Sequence, residues 1–597
     1  MWLLACADPA LPLEETSAPD VEVEVIDGLQ PPELSLSHER GVYDAPFELT
    51  LDAGGADVFV SFDGGEPTDL MDGDTLDIDP ALGWGDQTAP AVILRVFAQA
   101  DNGARSPVQT HTYWFPGEAV ERSPDGVAPG PGWPEPYQTN DNGDARQAMD
   151  YGLDPDVTGD PRYADRIESS LRALPTLSIV TDLEHLFDDA TGIYENAMED
   201  GRDWERPTSL ELLDPDDPSR QFQVDAGLRI RGGWSRHPSA PKHSFRFHFR
   251  SEYGPAWLEY PLFDEEGADR FDTFDLRTAQ NYSWSFKDGS GRENTFVRDV
   301  FSRDTQRDMG QPYTRSRYVH LLINGVYWGL YQTQERPEAA WATTYLGGDK
   351  DDWDIVKVNG EPGNRVVEAT DGDLGLWEQL WDLCADGLTP AEGEQVADLV
   401  DLDNLVDYML VIFWSGNFDA PTGAFTRNKE ANNFFAAGNR TDPGFVFLAH
   451  DSEHSMLPTA FPPGVGVTED RVNLGTRTDE YRMEVAAFEY FHPQWLHHHL
   501  VALEGYRMRF DERVATHLFD GGALTIDANE ARLAQRRAEV ESAIVAESAR
   551  WGDAKRHPAR TYDDDWLPAM QRLEEAWLPQ RNAIVLEQLE AAGLYIP

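Results

Sequence analysis

The chain has 597 residues and a formal net charge of -60, from 108 Asp and Glu against 48 Lys and Arg. That length exceeds what one hydrophobic core organises, and 40% hydrophobic with 11% aromatic residues marks a folded chain rather than a disordered one. So negative a surface repels nucleic-acid backbones and anionic lipid, which excludes nucleic acid as a partner and leaves a solvated acidic coat.

The N-terminal run Met1-Trp2-Leu3-Leu4-Ala5-Cys6 resembles a bacterial lipobox, although the basic segment that ordinarily precedes such a run is missing. The resemblance implies cleavage before Cys6, acylation of its thiol and new amino group, and a lipid-anchored protein of the cell envelope or exterior. Residues 1–30 then read as a signal remnant and acidic tether. No later stretch approaches the ~18 apolar residues of a membrane span, so the lipid anchor is the only expected membrane contact. Cys384 lies in an apolar helical stretch and reads as a buried thiol; two distant cysteines make no disulfide framework.

Residues 31–115 read as a small β-sandwich. Phe47–Leu51, Asp57–Phe62 and Ala91–Phe97 are short strand-like runs separated by turn clusters such as Asp63-Gly64-Gly65-Glu66-Pro67-Thr68. The pattern resembles the immunoglobulin-like module at chitobiase C-termini, which implies a spacer or accessory role without chemistry. Residues 116–170, rich in Pro, Gly and Asp, predict a linker or wrapping segment. Asn140-Asp141-Asn142-Gly143-Asp144 within it lacks the terminal Glu of a calcium loop and reads as a solvated turn.

The chemistry concentrates in residues 171–510. Gly227-Leu228-Arg229-Ile230-Arg231-Gly232-Gly233 is a strand entering a glycine turn, and Pro241-Lys242-His243-Ser244 opens a second strand. That strand alternates, with Phe245, Phe247 and Phe249 on one side and Arg246, His248 and Arg250 on the other. Bare amides flanked by Arg and Lys suit phosphate oxygens; basic gatekeepers on a sheet edge are the plainer reading of the same residues. Asn324-Gly325 between two β-rich runs predicts a type I′ hairpin, whose second strand leads to Glu335. Leu402, Leu405, Val406, Met409, Leu410 and Phe413 predict a helix that delivers Asn417-Phe418-Asp419 into a loop. Gly444–Ala449 is a buried-type strand that ends at His450-Asp451-Ser452-Glu453-His454, and a carboxylate at such a strand tip can face a phosphate-filled cleft. The same five residues fit the H-x-x-E-H pattern of inverted zinc proteases, but that motif needs a helix and the preceding run reads as strand. Residues 511–597 predict amphipathic helices over Thr525–Trp551 and Pro568–Leu594, with Pro579 kinking or dividing the second and Gly593 capping it.

In their order these pieces resemble the CotH (spore coat protein H) kinase-like family: Leu228–Gly233, Pro241–Arg246, Leu322–Tyr331, Asn417–Asp419 and the Asp451 strand end. The resemblance implies an α+β chain with an atypical protein-kinase-like central domain, preceded by the sandwich and followed by the helical region. It implies ATP and Mg²⁺ or Mn²⁺, and a protein substrate phosphorylated on Ser or Thr. By that similarity Asp419 is the catalytic residue, while Arg231 and Lys242 contact ATP phosphates with Glu335 as the lysine's partner. Asp451, Asn433 and Glu453 are the implied metal ligands. The sequence departs from the family in having Lys242-His243 where two lysines are frequent, and Asp451-Ser452-Glu453 where Asp-x-Asp is frequent. The competing expectation is a non-catalytic surface or adhesion lipoprotein with a degenerate kinase-like domain. Oligomeric state leaves no trace in the sequence.

Overall fold

The computed structural model describes residues 30–139, 146–360, 363–442, 444–474, 488 and 491–597, so Cys6 and the Asn140–Asp144 segment lie outside the described residues. Over these the chain is mixed α+β, with several sheets and a helical C-terminal region. Among the described residues no helix is long and apolar enough to cross a membrane.

The expected strands near the N-terminus form two sheets. Ser35–Leu36, Phe47–Asp52 and Thr75–Ile78 make one; Gly41–Val42, Gln109–Trp114, Ala91–Gln99, Asp57–Ser61 and Asp69–Leu70 make the other. Leu49, Leu51 and Ile78 of the first bury against Val60, Val92, Leu94, Val96 and Tyr113 of the second, which makes a sandwich. Ala91–Gln99 is apolar almost throughout because it is covered on both faces. On its far side Ala91 and Trp114 pack with Leu213, Leu322 and Tyr327 of the next domain.

That next domain is a closed seven-stranded barrel: β1 (Thr176–Val180), β2 (Arg206–Leu213), β3 (Phe222–Arg231), β4 (Ser244–His248), β5 (Thr273–Arg277), β6 (Tyr318–Ile323) and β7 (Val326–Gln334). The order around the barrel is β2-β3-β4-β5-β7-β6-β1, antiparallel except where β6 runs parallel to β1. Leu228, Ile230, Phe245, Phe247, Phe274 and Leu276 enter the core, which leaves Arg229, Arg231, Arg246, His248, Asp275 and Arg277 at the alternate positions. Asn324 and Gly325 both have positive φ (43° and 82°), the type I′ geometry expected of the β6–β7 hairpin.

The sandwich is docked on the barrel, not held off as a spacer. Glu211 of β2 is fully buried and accepts hydrogen bonds from Arg40 Nε at 2.9 Å and from the Thr112 amide at 3.0 Å. Asn324 at the hairpin tip donates to the Asp63 carbonyl at 3.1 Å. A Cβ on Gly64 would lie 2.5 Å from the Thr181 carbonyl oxygen, so the glycine turn of the sandwich is shaped for this contact.

After the barrel, a second antiparallel sheet has the order β9-β8-β10-β11, from β8 (Trp353–Asn359), β9 (Val366–Asp371), β10 (Phe434–Asn439) and β11 (Val446–Ala449). Helices α1 (Arg298–Asp308) and α2 (Leu402–Ser415) pack on each other and on β11. Asp401 caps α2 through the Asn404 amide at 3.0 Å, and Gly416 ends it in the left-handed region. The periodicity expected one apolar face, yet Asn404 to Ser415 is buried all round; Asp407 is tolerated inside because Arg513 donates to it at 2.8 Å.

The C-terminal region folds into this core. Helix α3 (Ile526–Val540) packs on α1, and α4 (Ile544–Trp551) packs on β7. The predicted segment is divided just before Pro579, which falls in the first turn of the last helix. The path from Tyr562 carries π turns at Tyr562–Trp566 and Leu573–Trp577, immediately before Leu567-Pro568 and Leu578-Pro579, and α5 (Leu578–Ala591) follows. Leu567 and Leu578 donate five residues back, a wider turn that accommodates a ring that would otherwise strike the carbonyl four residues behind it. Gly593 follows in the left-handed region, as expected of a C-terminal cap.

Candidate functional site

The polar side of β3, β4 and β5 meets the tip of β11, and Arg277 ties the two. Its guanidinium donates to Asp451 Oδ1 at 2.8 Å, to Gln334 Oε1 of β7 at 3.0 Å, and at 3.4 Å to both Asp299 of α1 and Glu453. Asp299 also accepts the Ser452 amide at 2.9 Å, so α1 and β5 together hold the His450–Glu453 turn. Asp451 sits in the left-handed region at φ 52° and Asn433 at φ 45°, conformations costly for non-glycine residues that the surrounding contacts impose.

Helix α2 delivers Asp419 to the same place. The Asp419 amide donates to Asn417 Oδ1 at 3.1 Å, Asn432 Nδ2 donates to the Asp419 carbonyl at 2.8 Å, and Asn433 Nδ2 donates to Asp419 Oδ2 at 3.1 Å. Asp419 Oδ1 is buried and has no hydrogen-bond partner. A Cβ on Gly423 would lie 2.9 Å from that oxygen and 3.1 Å from Arg365 Nη1, so glycine keeps the space beside it open. Burial pushes the Asp419 carboxyl up to about 7, with Asp451 adding to the rise and Arg365 opposing it. Burial also acts on Asp451, but there the Arg277 guanidinium prevails and holds the carboxyl below its usual range.

Arg231 and Arg246 flank these acids and share one carboxylate, Asp275 of β5, at 3.1 Å and 2.6 Å. Arg231 thus lies among these charged groups, with its guanidinium paired to Asp275. Asp451 and Arg277 are among the charges that act on it.

Three expectations need correcting. Lys242 is sealed in the interior, where Nζ donates to the Leu330 carbonyl at 2.8 Å and pairs with Glu547 of α4 at 2.5 Å. Neither Lys242 nor Glu547 exposes any side chain, so this lysine is spent on a protein partner rather than offered to a phosphate. Glu335 is not its carboxylate: it is buried, accepts the Arg315 amide at 2.9 Å and pairs with the Arg315 guanidinium at 3.0 Å. On β7 the residues turned to the cleft are Gln332 and Gln334, and Glu335 falls on the other side of the alternation. Glu453 spends both oxygens inside the protein, one on Arg277 and one on the Asn281 amide at 2.8 Å, which makes it a brace for Arg277.

The zinc-protease pattern fails on geometry. Ser452–His454 is a single 3₁₀ turn after a strand, and His454 Nδ1 is hydrogen-bonded to the Tyr282 hydroxyl at 2.8 Å. Among the described residues no three His, Cys, Asp or Glu side chains are grouped to hold a metal ion. Magnesium asks for less, since it binds through one or two carboxylates with water and phosphate oxygens. Asp451 beside the orphaned Asp419 oxygen and Asn433 fits that smaller demand.

Sequence reasoning missed Asp275, Arg277, Asp299 and Arg365. The first two lie in Thr273-Phe274-Asp275-Leu276-Arg277, whose alternation of charge with apolar residues was the available signal. Asp299 lies in an ordinary-looking helix and had none. A search of curated proteins finds no match. The family model for the CotH kinase protein matches residues 228–583, from β3 through α5 and across every cleft residue named above. More than half of the chain is covered, and the protein belongs to the CotH kinase family.

Proposed function

We propose that the chain is an exported atypical protein kinase that transfers the γ-phosphate of ATP to Ser or Thr of a surface or secreted protein. The observation that carries this reading is the pairing of an orphaned, buried carboxylate oxygen on Asp419 with Asp451 in a cleft walled by Arg231, Arg246 and Arg277. A carboxyl raised to about 7 is matched to accepting a hydroxyl proton near neutrality, which is the task of the catalytic Asp. Asn433 positions that carboxyl through Oδ2 and leaves Oδ1 for the incoming hydroxyl. The guanidiniums bind and orient phosphate oxygens. Asp451 and Asn433 would hold Mg²⁺ or Mn²⁺, which when bound neutralises phosphate charge. The test is incubation of purified protein with labelled ATP and Mn²⁺ or Mg²⁺, wild type beside Asp419→Ala and Asp451→Ala. Label on the wild type alone supports the kinase; no nucleotide binding by any of the three rejects it.

Two observations favour the second reading, a non-catalytic envelope or adhesion protein with a degenerate kinase-like domain. Arg277 occupies Asp451 Oδ1, and the lysine expected at the phosphates is sealed against Glu547. Under that reading the cleft gives no nucleotide-dependent thermal stabilisation. In either case we place the protein in the cell envelope, anchored through Cys6; incorporation of labelled fatty acid, lost in Cys6→Ser, tests this.

A further inference from the structure

The barrel carries a second concentration of cations, further along the cleft-facing side of β3 and β4. In the register of these strands Arg229 lies directly opposite Arg246, an arrangement that costs stability unless an anion bridges it. Glu205 is fully buried beneath them and lies within ion-pair distance of three guanidiniums, Arg229 at 2.5 Å, Arg202 at 2.8 Å and Arg250 at 3.0 Å, although its Oε2 makes no hydrogen bond. The other carboxylates within reach are similarly committed. Asp275 is shared between Arg246 and Arg231, Glu252 is paired with Arg202, and Glu338 with Arg336. In a chain of net charge -60, this face is left short of negative charge.

His248 sits amid these arginines and shows where the missing acceptor belongs. Arg250 Nη2 lies 3.3 Å from His248 Nδ1. A guanidinium can only donate, so Nδ1 accepts and the hydrogen of the neutral ring is on Nε2. That Nε2 is buried without a hydrogen-bond partner, the nearest carboxylate being Glu205 Oε2 at 3.8 Å, and Arg229 Nε is buried without one as well. Burial first, and then Arg229, Arg246, Arg250 and Arg336, hold the imidazole down at about 2, so it stays a neutral donor.

We propose that this rim is a second anion site, in which Arg229, Arg250 and His248 Nε2, with Arg336 at the inner edge, bind the phosphate monoester of a phosphorylated Ser or Thr on a partner protein. A carboxylate of the chain already lies below and leaves donors unmet. A phosphate monoester brings close to two charges and three acceptor oxygens, which matches several divergent donors better than one more carboxylate does. The site goes beyond the transfer reaction and does not depend on it, because binding is measurable whether or not the chain transfers phosphate.

The test titrates the full-length protein with a phosphoserine peptide, its unphosphorylated form and inorganic phosphate, with and without saturating Mg-ATP. Wild type is compared with R229Q/R250Q and D451A. The phosphoserine peptide is expected to bind at least about tenfold more tightly than the unphosphorylated one and to lose about tenfold in R229Q/R250Q, the scale of one charged hydrogen bond. D451A and Mg-ATP should leave that affinity unchanged. Equal binding of the two peptides, loss in D451A, or displacement by Mg-ATP overturns the proposal, the last two by assigning the phosphate to the nucleotide cleft. Inorganic phosphate binding as tightly as the peptide overturns the assignment to a protein-borne phosphate. If R229Q/R250Q fails to fold, Arg250→Gln alone serves, since its side chain is 39% exposed and packs least; unchanged affinity in that variant counts against the site.

Discussion

Two buried carboxylates behave in opposite ways, and the contrast separates structure from chemistry in this molecule. Glu547 is wholly enclosed, yet one oxygen takes the Lys242 ammonium at 2.5 Å and the other the Leu330 amide at 2.7 Å. Asp419 is nearly as buried, and one of its oxygens has nothing. A satisfied buried charge fastens α4 to β7; an unsatisfied one is a cost that the fold bears at the cleft. The lysine that the sequence suggested for the cleft therefore belongs to the fastening, and the cleft's cations are arginines.

The largest effect should come from the open member of the pair. Asp419→Asn removes the proton acceptor and should lower phosphate transfer by about 10²–10⁴-fold, the span of general acid–base catalysis. Because it also removes an orphaned carboxylate, the melting temperature should not fall. Transfer that survives in this variant would break the contrast at once.

The closed member should answer in stability instead. Lys242→Met alone leaves Glu547 buried without its cation and should cost about 3–5 kcal/mol in denaturant unfolding. Adding Glu547→Leu should recover most of that loss, since two apolar side chains of similar volume replace a buried pair at little cost. A single variant that unfolds normally but no longer binds nucleotide would return Lys242 to the cleft.

A third buried carboxylate lies between these extremes. Glu211 holds the sandwich to the barrel through Arg40 and Thr112. Arg40→Ala should cost about 1–3 kcal/mol, the penalty for leaving part of a buried acceptor unmet. Calorimetry should then show an earlier transition from the sandwich, whereas one unchanged transition would mean that the docking rests on its apolar contacts.

The smallest effect is a slope. Burial, opposed by Glu547, lowers Lys242 from 10.5 to about 8. Between those values the unfolded chain binds the proton that the folded chain has released, so this residue makes stability rise with pH. Wild type minus Lys242→Met should show that rise across pH 8 to 10.5 and none below; a difference that falls with pH would refute the assignment.

Periodicity was the reliable guide for the elements. The alternation of Phe245 and Phe247 with Arg246 and His248, the Asn324-Gly325 turn and the cap at Gly593 all stand as expected, because each is a local matter of backbone geometry. It misled only where burial is two-sided. In α2 the polar residues of the expected solvent face lie inside.

For the site, the sequence by itself determined which residue types stand at strand tips and turns: Asp419 after a helix, Asp451 after a strand, Arg231 before two glycines. It could not assign partners. Lys242 and Glu547 are 305 residues apart, and Arg277 and Asp451 are 174 apart. Such pairs are settled by which side of the closed barrel each side chain leaves and by which later helix covers it. Only the tertiary structure decides that, because Coulomb energy and desolvation act across space and take no account of distance along the chain.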